Sequence, residues 1–209
     1  MKTAHLFLAT LLGLVLPLAG CFNTTPSEDP TRFFVLGLEE AEMADPSQVV
    51  GLDEPDTVIV GLRLARFPAY LDQASIAYRQ GPNEIVYLPF ERWAYPLKLG
   101  FSAGLTAALE TSGEPLRAFA WPYPGSVRPD VEVTLWVSAF EPRLDREQAV
   151  LELRYGLAGN FQPFSRTQPL PPGDMLGQRI ASAQAGTLKA FAEHLAAEIA
   201  ALPRSEAAE

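Results

Sequence analysis

Hydrophobic and polar positions alternate along two stretches of the chain. Residues 131–139 and 149–157 each place apolar side chains at every second position, a period that is typical of a strand with one buried face. Residues 141–147 lie between them and are rich in charge. We therefore interpret them as the connecting turn of an antiparallel pair.

Shorter apolar runs predict the rest of a sheet. We expect strands at residues 32–38, 57–66, 75–79 and 84–88, with 117–120 and 161–167 as further candidates. The tetrapeptide Gln80-Gly81-Pro82-Asn83 separates two of these runs and predicts a hairpin turn. Residues 39–56 have no clear period and are predicted to form a loop.

Two segments show the three-to-four-residue spacing of an amphipathic helix. The first begins at Pro96, where a missing N–H costs nothing, and ends near Gly113, which suits a left-handed position. The second follows a Pro-Pro-Gly turn at residues 171–173 and carries an apolar stripe from Leu176 to Ile199. Two helices and six or seven strands predict an α/β domain with a mixed sheet and helices packed on it.

Residues 1–20 are predicted to be a signal peptide. Lys2 precedes an uncharged, apolar run of 14 residues at positions 6–19, which is shorter than the ~20 residues of a bilayer-spanning helix. The run continues into Leu-Ala-Gly-Cys at 18–21, which looks like a bacterial lipobox, cleaved before Cys21 and acylated on its thiol. The alternatives are an ordinary signal peptide with an unrelated Cys, or a short membrane anchor.

Residues 21–31 are predicted to form a flexible, lipidated tether, because they contain two Pro and no apolar period. Removing the signal peptide leaves 15 basic against 25 acidic residues and lowers the net charge from −9 to −10. Attachment to an anionic membrane would then come from acyl chains on Cys21 and not from charge. The residue after Cys21 is Phe22 and not Asp, which favours the outer membrane over the inner membrane. We expect the folded body at 32–202 and a disordered tail at 203–209.

Composition narrows the chemistry that the chain can carry. A single Cys excludes an intrachain disulfide and every multi-cysteine zinc site, and a pI near 4.8 argues against nucleic acid as a partner. Once the signal peptide is removed, His194 is the one histidine left, and we expect it at the surface of the last helix. P-loop, GxSxG, GxGxxG and HExxH patterns are absent. We therefore expect no catalytic residues, metal or cofactor, although chemistry carried by Asp and Glu alone leaves no pattern in a sequence.

Aromatic residues cluster in the segments 67–72, 92–97 and 119–123. Trp, Tyr and Arg are typical of protein interfaces, but the same aromatic residues also fill cores. For Trp93 we favour a place in the core. For Trp121 and Tyr123 both interpretations stay open.

Two of these segments resemble the ABC-type transport auxiliary lipoproteins, whose best-known branch is the paraquat-inducible PqiC lipoproteins. Residues 67–79 (FPAYLDQASIAYR) are similar to the family's P-x-Y-L-D stretch and the I-x-x-R that follows it. Residues 92–97 (RWAYPL) are similar to the family's R-W-A-E-P-L at a helix start. This chain has Tyr95 where the family usually has an acid. The resemblance extends over residues 21–202.

The resemblance implies a three-layer α/β/α fold of the kind found in the TolB N-terminal domain. It implies a periplasmic lipoprotein that works beside an ABC permease, its ATPase and MCE-domain proteins in moving lipids between the two membranes and keeping the envelope intact. It implies no catalytic residues. Only Cys21 is carried over as a functional position.

We therefore expect a non-enzymatic auxiliary subunit at the periplasmic face of the outer membrane. The alternative is a periplasmic lipoprotein that itself binds a lipid or a small hydrophobic ligand. A hydrolase of the envelope would need acids that converge in a cleft. Self-association into a homo-oligomer is left open. The candidate interface or motif residues are Tyr70, Leu71, Asp72, Arg92, Trp93, Pro96, Leu97, Trp121 and Tyr123.

Overall fold

The structure is a computed structural model that describes residues 28–36 and 56–203. The predicted signal peptide, Cys21, most of the tether, the end of the first predicted strand and nearly all of loop 39–56 lie outside the described residues, as does the tail beyond Pro203. Within the described part, no helix is both long enough and apolar enough to cross a membrane.

Eight strands and two α-helices make up the described part of the domain. In chain order they are β1 (Arg32–Phe34), β2 (Val58–Arg66), β3 (Ser75–Gly81), β4 (Glu84–Trp93), α1 (Leu97–Glu110), β5 (Leu116–Ala120), β6 (Val131–Arg143), β7 (Gln148–Leu157), β8 (Asn160–Pro169) and α2 (Leu176–Ala200). Parallel and antiparallel pairs occur together in one sheet, so the predicted α/β class with a mixed sheet is confirmed.

Two parts of the sheet meet on β6. Along one edge β6 pairs antiparallel with β7, and β8 lies outside β7. Along the other edge, residues 131–136 pair in parallel with β2, and Arg143 pairs in parallel with Arg79 of β3. The sheet continues with β5 beyond β2, and with β4 and then β1 beyond β3. One edge of β6 is therefore divided between two branches of the sheet.

Both helices pack on one face of the sheet. Phe101 of α1 lies edge-on to Phe140 of β6, with ring centroids 5.1 Å apart, and Phe191 of α2 lies edge-on to Tyr155 of β7 at 5.5 Å. Phe140 pairs with Leu151, which lies on the same face of β7 as Tyr155 because side chains alternate along a strand. Edge-on aromatic pairs of this kind stabilise a core beyond the area they bury.

The two helices also pack against each other. A Cβ atom at Gly104 of α1 would lie only 2.9 Å from Cδ2 of Leu188 in α2. Glycine therefore allows the helices to approach closely at this point.

Neither α1 nor α2 packs on the opposite face of the sheet. Along β6, Val133, Leu135 and Val137 are buried under the helices, whereas Glu132 and Trp136 point to the other side. The third layer that the family resemblance implies is not formed by residues 28–36 and 56–203. Among residues 28–36 and 56–203, no helix therefore covers this face, which we call the helix-free face.

A buried ion pair connects the two branches of the sheet. The carboxylate of Glu141, in the second half of β6, is fully buried and accepts hydrogen bonds from Nε of Arg79 and from the hydroxyl of Tyr70. Backbone pairing between β3 and β6 is limited to Arg79 and Arg143. The side-chain network therefore adds to the attachment of the β1–β4–β3 branch to β6, beside the core contacts of Ile76, Ala77 and Trp93.

One predicted boundary is wrong because of that network. The sequence predicts a turn at 141–147, but β6 extends to Arg143 and the turn is a short 3₁₀ helix at Leu144–Arg146. The charge of Glu141 is typical of a turn, yet its buried partners keep it inside a strand. By contrast, the predicted hairpin forms between β3 and β4, and α1 begins directly after Pro96.

Replacing Arg79 with Ala is expected to lower the free energy of unfolding by about 3–5 kcal/mol, because the buried charge of Glu141 loses its cation. Urea unfolding followed by circular dichroism measures the change. Arg63→Ala is the matched control, since Arg63 pairs with Glu132 at 3.8 Å with both side chains exposed. That variant should lose about 1 kcal/mol or less. Equal losses in the two variants would contradict the role assigned to the buried pair.

Candidate interaction surface

Aromatic and charged side chains collect on the helix-free face of the sheet. We call this surface the aromatic face and define it by six residues: Arg63, Trp121, Tyr123, Glu132, Trp136 and Phe161. Phe161 and Trp121 are 62% and 56% exposed. Large apolar side chains that stay this exposed are typical of sites where another molecule binds.

One half of the aromatic face is a pair of rings that contact each other at a tilt. Trp136 of β6 and Phe161 of β8 have centroids 5.4 Å apart at an interplanar angle of 55°. They meet across Gly156 of β7, which pairs with Phe161. A Cβ at Gly156 would lie 3.2 Å from the ring of Phe161 and 3.5 Å from that of Trp136. The glycine therefore leaves room for the two rings to lie across the strand between them.

The other half of the aromatic face is built around Arg63 of β2. Its guanidinium lies over the ring of Trp121, 5.2 Å from the centroid, and pairs with Glu132 of β6 at 3.8 Å. The backbone N–H of Trp121 donates to the carbonyl of Leu62 at 2.8 Å. The position of the exposed indole is therefore fixed by a main-chain bond as well as by a cation–π contact.

Tyr123 lies over this half of the aromatic face. Its hydroxyl donates to Oε1 of Glu132 at 3.2 Å, and burial together with the nearby charge of Glu132 raises the pKa of Tyr123. A Cβ at Gly61 would lie 2.6 Å from that hydroxyl and 2.6 Å from Cγ of Pro129. Gly61 therefore lets the loop that carries Tyr123 lie directly on β2.

The arrangement on this face suits the binding of another protein. Trp, Tyr and Arg dominate the energetic centres of protein interfaces, and here they are held by the sheet and by main-chain bonds. A rigid surface loses little conformational entropy on binding. The neighbouring Arg63 and Glu132 add one charge of each sign, which would fix the orientation of a partner.

The motif residues predicted from the sequence are divided between core and surface. Leu71, Trp93 and Leu97 are 2%, 4% and 2% exposed and belong to the core, which agrees with the interpretation favoured for Trp93. Asp72, Arg92 and Pro96 are exposed, and Tyr70 is half-buried. The two motif segments lie side by side, since the N–H of Trp93 donates to the carbonyl of Ala74 at 2.8 Å and Ser75 pairs with Arg92, but the buried members belong to the core and not to a surface site. The structure brings Trp121 and Tyr123 together on the aromatic face.

Tyr70 is the member of the first motif with a distinct chemical environment. Burial, followed by its hydrogen bond to Glu141, raises the pKa of Tyr70 to about 12. The phenol therefore keeps its proton and donates it to the buried carboxylate. This role is structural, because the proton faces an internal acceptor.

A second hydrogen-bonded group lies between β7 and α2. The hydroxyl of Tyr155 donates to Oε2 of Glu198 at 2.6 Å and lies 2.9 Å from Nε2 of His194. Burial and Glu198 raise the pKa of Tyr155, so its phenol remains protonated. His194 is exposed, as the sequence predicts. In the described residues, no group of three or more His, Cys, Asp or Glu side chains is placed to hold a metal ion.

Four residues of the aromatic face escape prediction from the sequence: Arg63, Glu132, Trp136 and Phe161. Trp136 carries the clearest signal, since a Trp at a polar position of an alternating strand points away from the core. The position of Phe161 beside it depends on the register of β7 and β8, which no local pattern gives. The partners of Glu141 could not be predicted from a local pattern either, because Arg79 is 62 residues away in the chain.

Comparisons with known proteins bear on the fold and the family. Residues 42–200 match the family model described as ABC-type transport auxiliary lipoprotein component. A crystal structure of an uncharacterized protein is 19% identical, with a TM-score of 0.55, and covers 68% of this chain and 90% of its own. A protein of Xanthomonas campestris from the family DUF330 is also 19% identical, with a TM-score of 0.53, and covers 68% of this chain and 82% of its own. No curated protein matches significantly.

The hydroxyl proton of Tyr70 makes the stability of the fold depend on pH in the alkaline range. Because the pKa of Tyr70 in the folded state, about 12, lies above the ordinary tyrosine value of 10.0, the stabilisation is complete below pH 10 and is lost as the pH rises through 12. Tyr70→Phe has no such proton. Its free energy of unfolding should therefore fall less steeply between pH 10 and 12, by at most about 1.4 kcal/mol per pH unit. Urea unfolding at stepped pH measures both slopes, and parallel slopes would contradict the assignment.

Proposed function

This chain belongs to the family of ABC-type transport auxiliary lipoprotein components, and from that membership we propose that it is a non-enzymatic subunit of a lipid transport system. In this proposal, acyl chains on Cys21 hold it at the periplasmic face of the outer membrane. The folded body then docks onto an ABC permease and ATPase or onto an MCE-domain protein. The exposed aromatic face is the observation that carries the docking role.

The anchoring step of the proposal rests on the sequence around Cys21. The Leu-Ala-Gly-Cys stretch at 18–21 follows an apolar run of signal-peptide length. Two or more acyl chains give stable attachment, at about 0.8 kcal/mol for each buried CH₂ group. The family description names lipoproteins, which supports the same reading. Residues 1–20 would then be removed, and residues 21–31 would link the lipid to the body.

Placement at the outer membrane rests on the residue that follows the lipidated Cys. Position 22 is Phe and not the Asp that tends to retain lipoproteins in the inner membrane. From the outer membrane, a periplasmic body would face the transport apparatus that spans the space between the membranes.

The docking step rests on the geometry of the aromatic face. The rings of Trp136, Phe161 and Trp121 lie on a sheet face without a helix, and Phe161 and Trp121 are more than half exposed. A soluble domain without a partner gains nothing from leaving such rings in water. A protein partner that covers them would gain the free energy of their burial. This is why we favour docking over a purely passive tether.

The alternative function is binding of a lipid by the body itself, which needs an apolar cavity. A depression of about 430 Å³ lies at the start of α2. Its walls include Asp174, Gln178, Arg179 and Ser182, and these polar side chains suit an acyl chain poorly. Between helices and sheet, Phe67, Phe101 and Phe140 pack edge-on against one another and fill the space. These observations favour docking as the function.

Cys21→Ala is expected to move the protein from the membrane fraction to the soluble periplasmic fraction, because the attachment site for the acyl chains is lost. Cell fractionation with a high-salt wash, followed by immunoblotting, measures the distribution. Ser27→Ala, in the same tether, is the control and should remain in the membrane fraction. A Cys21→Ala protein that stays with membranes after the salt wash would show that the anchoring proposal is wrong.

Trp121→Ser combined with Phe161→Ser is expected to weaken co-purification of the detergent-extracted protein with its ABC or MCE-domain partners. Loss of two central aromatic contacts should lower the retained amount about tenfold or more. Leu99→Ser is the matched control, since Leu99 is as exposed as Phe161, at 62%, but lies on α1. Quantitative mass spectrometry of the retained subunits measures the outcome. Undiminished retention of those subunits by the double variant would refute docking through the aromatic face.

A further inference from the structure

A second set of exposed apolar side chains lies away from the aromatic face. Eight large hydrophobic side chains are exposed in the described residues, and five of these surround β1 and the starts of the two helices. We call these five the β1 end. They are Phe33 at 64%, Val35 at 48%, Phe90 at 52%, Leu99 at 62% and Met175 at 37% exposure.

The pairing of β1 places two of these rings near each other. Phe33 pairs with Arg92 of β4, so both side chains project from the same face. Phe90 lies two residues before Arg92 on the same strand, in the stretch where the register of β4 against β3 shifts. Phe33 and Phe90 therefore lie close together at the outer edge of the sheet.

Phe34 connects this edge to the starts of both helices. Its carbonyl accepts a hydrogen bond from the N–H of Ala94 at 2.8 Å, three residues before α1, and Leu99 lies in the first turn of α1. A Cβ at Gly177 would lie 2.7 Å from the ring of Phe34, which places the start of α2 against β1. Met175 directly precedes that helix, so all five side chains of the β1 end lie around one end of the fold.

Basic residues accompany these apolar side chains. Arg32, Arg92 and Lys98 are exposed at this end, in a protein whose net charge is −9. Asp174, beside Met175, is an exposed acid there. Aromatic rings flanked by Arg and Lys are the composition of surfaces that lie in the headgroup region of a bilayer.

The chain itself brings this end close to a membrane. Ten residues, 22–31, separate Cys21 from β1, and a chain of that length reaches at most ~35 Å. With Cys21 acylated, β1 is the first element of the described residues that follows the bilayer along the chain. A lipid surface is therefore present at high local concentration, and a weakly apolar patch is enough to bind it.

We propose that the β1 end rests in the interfacial layer of the membrane that holds the acyl chains of Cys21. This inference depends on the proposed anchoring through Cys21. The rings of Phe33 and Phe90 enter the headgroup region, and Arg32, Arg92 and Lys98 contact lipid phosphates. The tether then acts as a short link that keeps the body on the surface.

Such an orientation leaves the aromatic face free for a protein partner. Along the sheet, β4, β3, β6 and β7 lie between β1 and β8. Phe161 of β8 is therefore separated from Phe33 by four strands, which are each ~4.8 Å apart. The membrane and a transport partner would contact different parts of the body.

A single-thiol probe tests this orientation in the full mature protein. When Cys21 is acylated, its thiol is consumed, so an introduced Cys is the one free thiol of a chain with a single Cys. Phe33→Cys and Phe161→Cys form a matched pair, because the native rings are 64% and 62% exposed. Each lipidated variant is labelled with nitrobenzoxadiazole and reconstituted into vesicles of phosphatidylethanolamine and phosphatidylglycerol with brominated acyl chains.

The label at position 33 should be quenched by the brominated chains at least about twofold more than the label at 161, because it lies in the interfacial layer. Leu99→Cys, on α1, is a second probe of the β1 end and should follow position 33. Equal, weak quenching at 33, 99 and 161 in protein that floats with the vesicles would overturn this inference and leave the anchoring intact. A protein that does not float and has two free thiols by mass spectrometry would overturn both.

Discussion

The packing of both helices on one face of the sheet is the constraint from which the rest of this molecule follows. Phe101 and Phe191 project from the two helices onto the same face, and Gly104 lets the helices touch. With both described helices on that side, no described helix covers the other face. Its side chains include Trp136 and Phe161, and the exposure of Phe161 is what supports the proposed docking there.

A second constraint is the division of one edge of β6. Its first half pairs with β2, and its second half meets β3 at a single backbone pair, Arg79 with Arg143. A bare junction of this kind would be weak, and the buried carboxylate of Glu141 reinforces it. A buried ion pair contributes little net stability, but it strongly disfavours any arrangement that leaves one partner alone. The network therefore fixes the position of the β1–β4–β3 branch, and with it the β1 end.

The local elements of the fold were largely predictable from the sequence. Period two identifies β6 and β7, the Gly-Pro-Asn turn identifies the β3–β4 hairpin, and Pro96 marks the start of α1. Each of these signals comes from steric or burial preferences of neighbouring residues.

Features that depend on strand order were not predictable in the same way. Glu141 resembles a turn residue until Arg79 is placed beside it, and the contact between Trp136 and Phe161 requires the register of three strands. The motif residues Leu71, Trp93 and Leu97 are core residues, so a family motif need not mark a binding site. Trp121 and Tyr123 have the same residue types, yet they lie on the open face because the loop that carries them crosses Gly61.

The central claim is that the aromatic face contacts a transport partner while lipid holds the other end. Site-specific photocrosslinking in living cells tests it most directly, with a photoreactive phenylalanine at position 161 and, as a control, at the exposed position 193 on α2. We predict that position 161 forms a covalent adduct with an ABC or MCE-domain protein, identified by mass spectrometry, and that position 193 does not. Adducts with such a protein at 193 and none at 161 would contradict it.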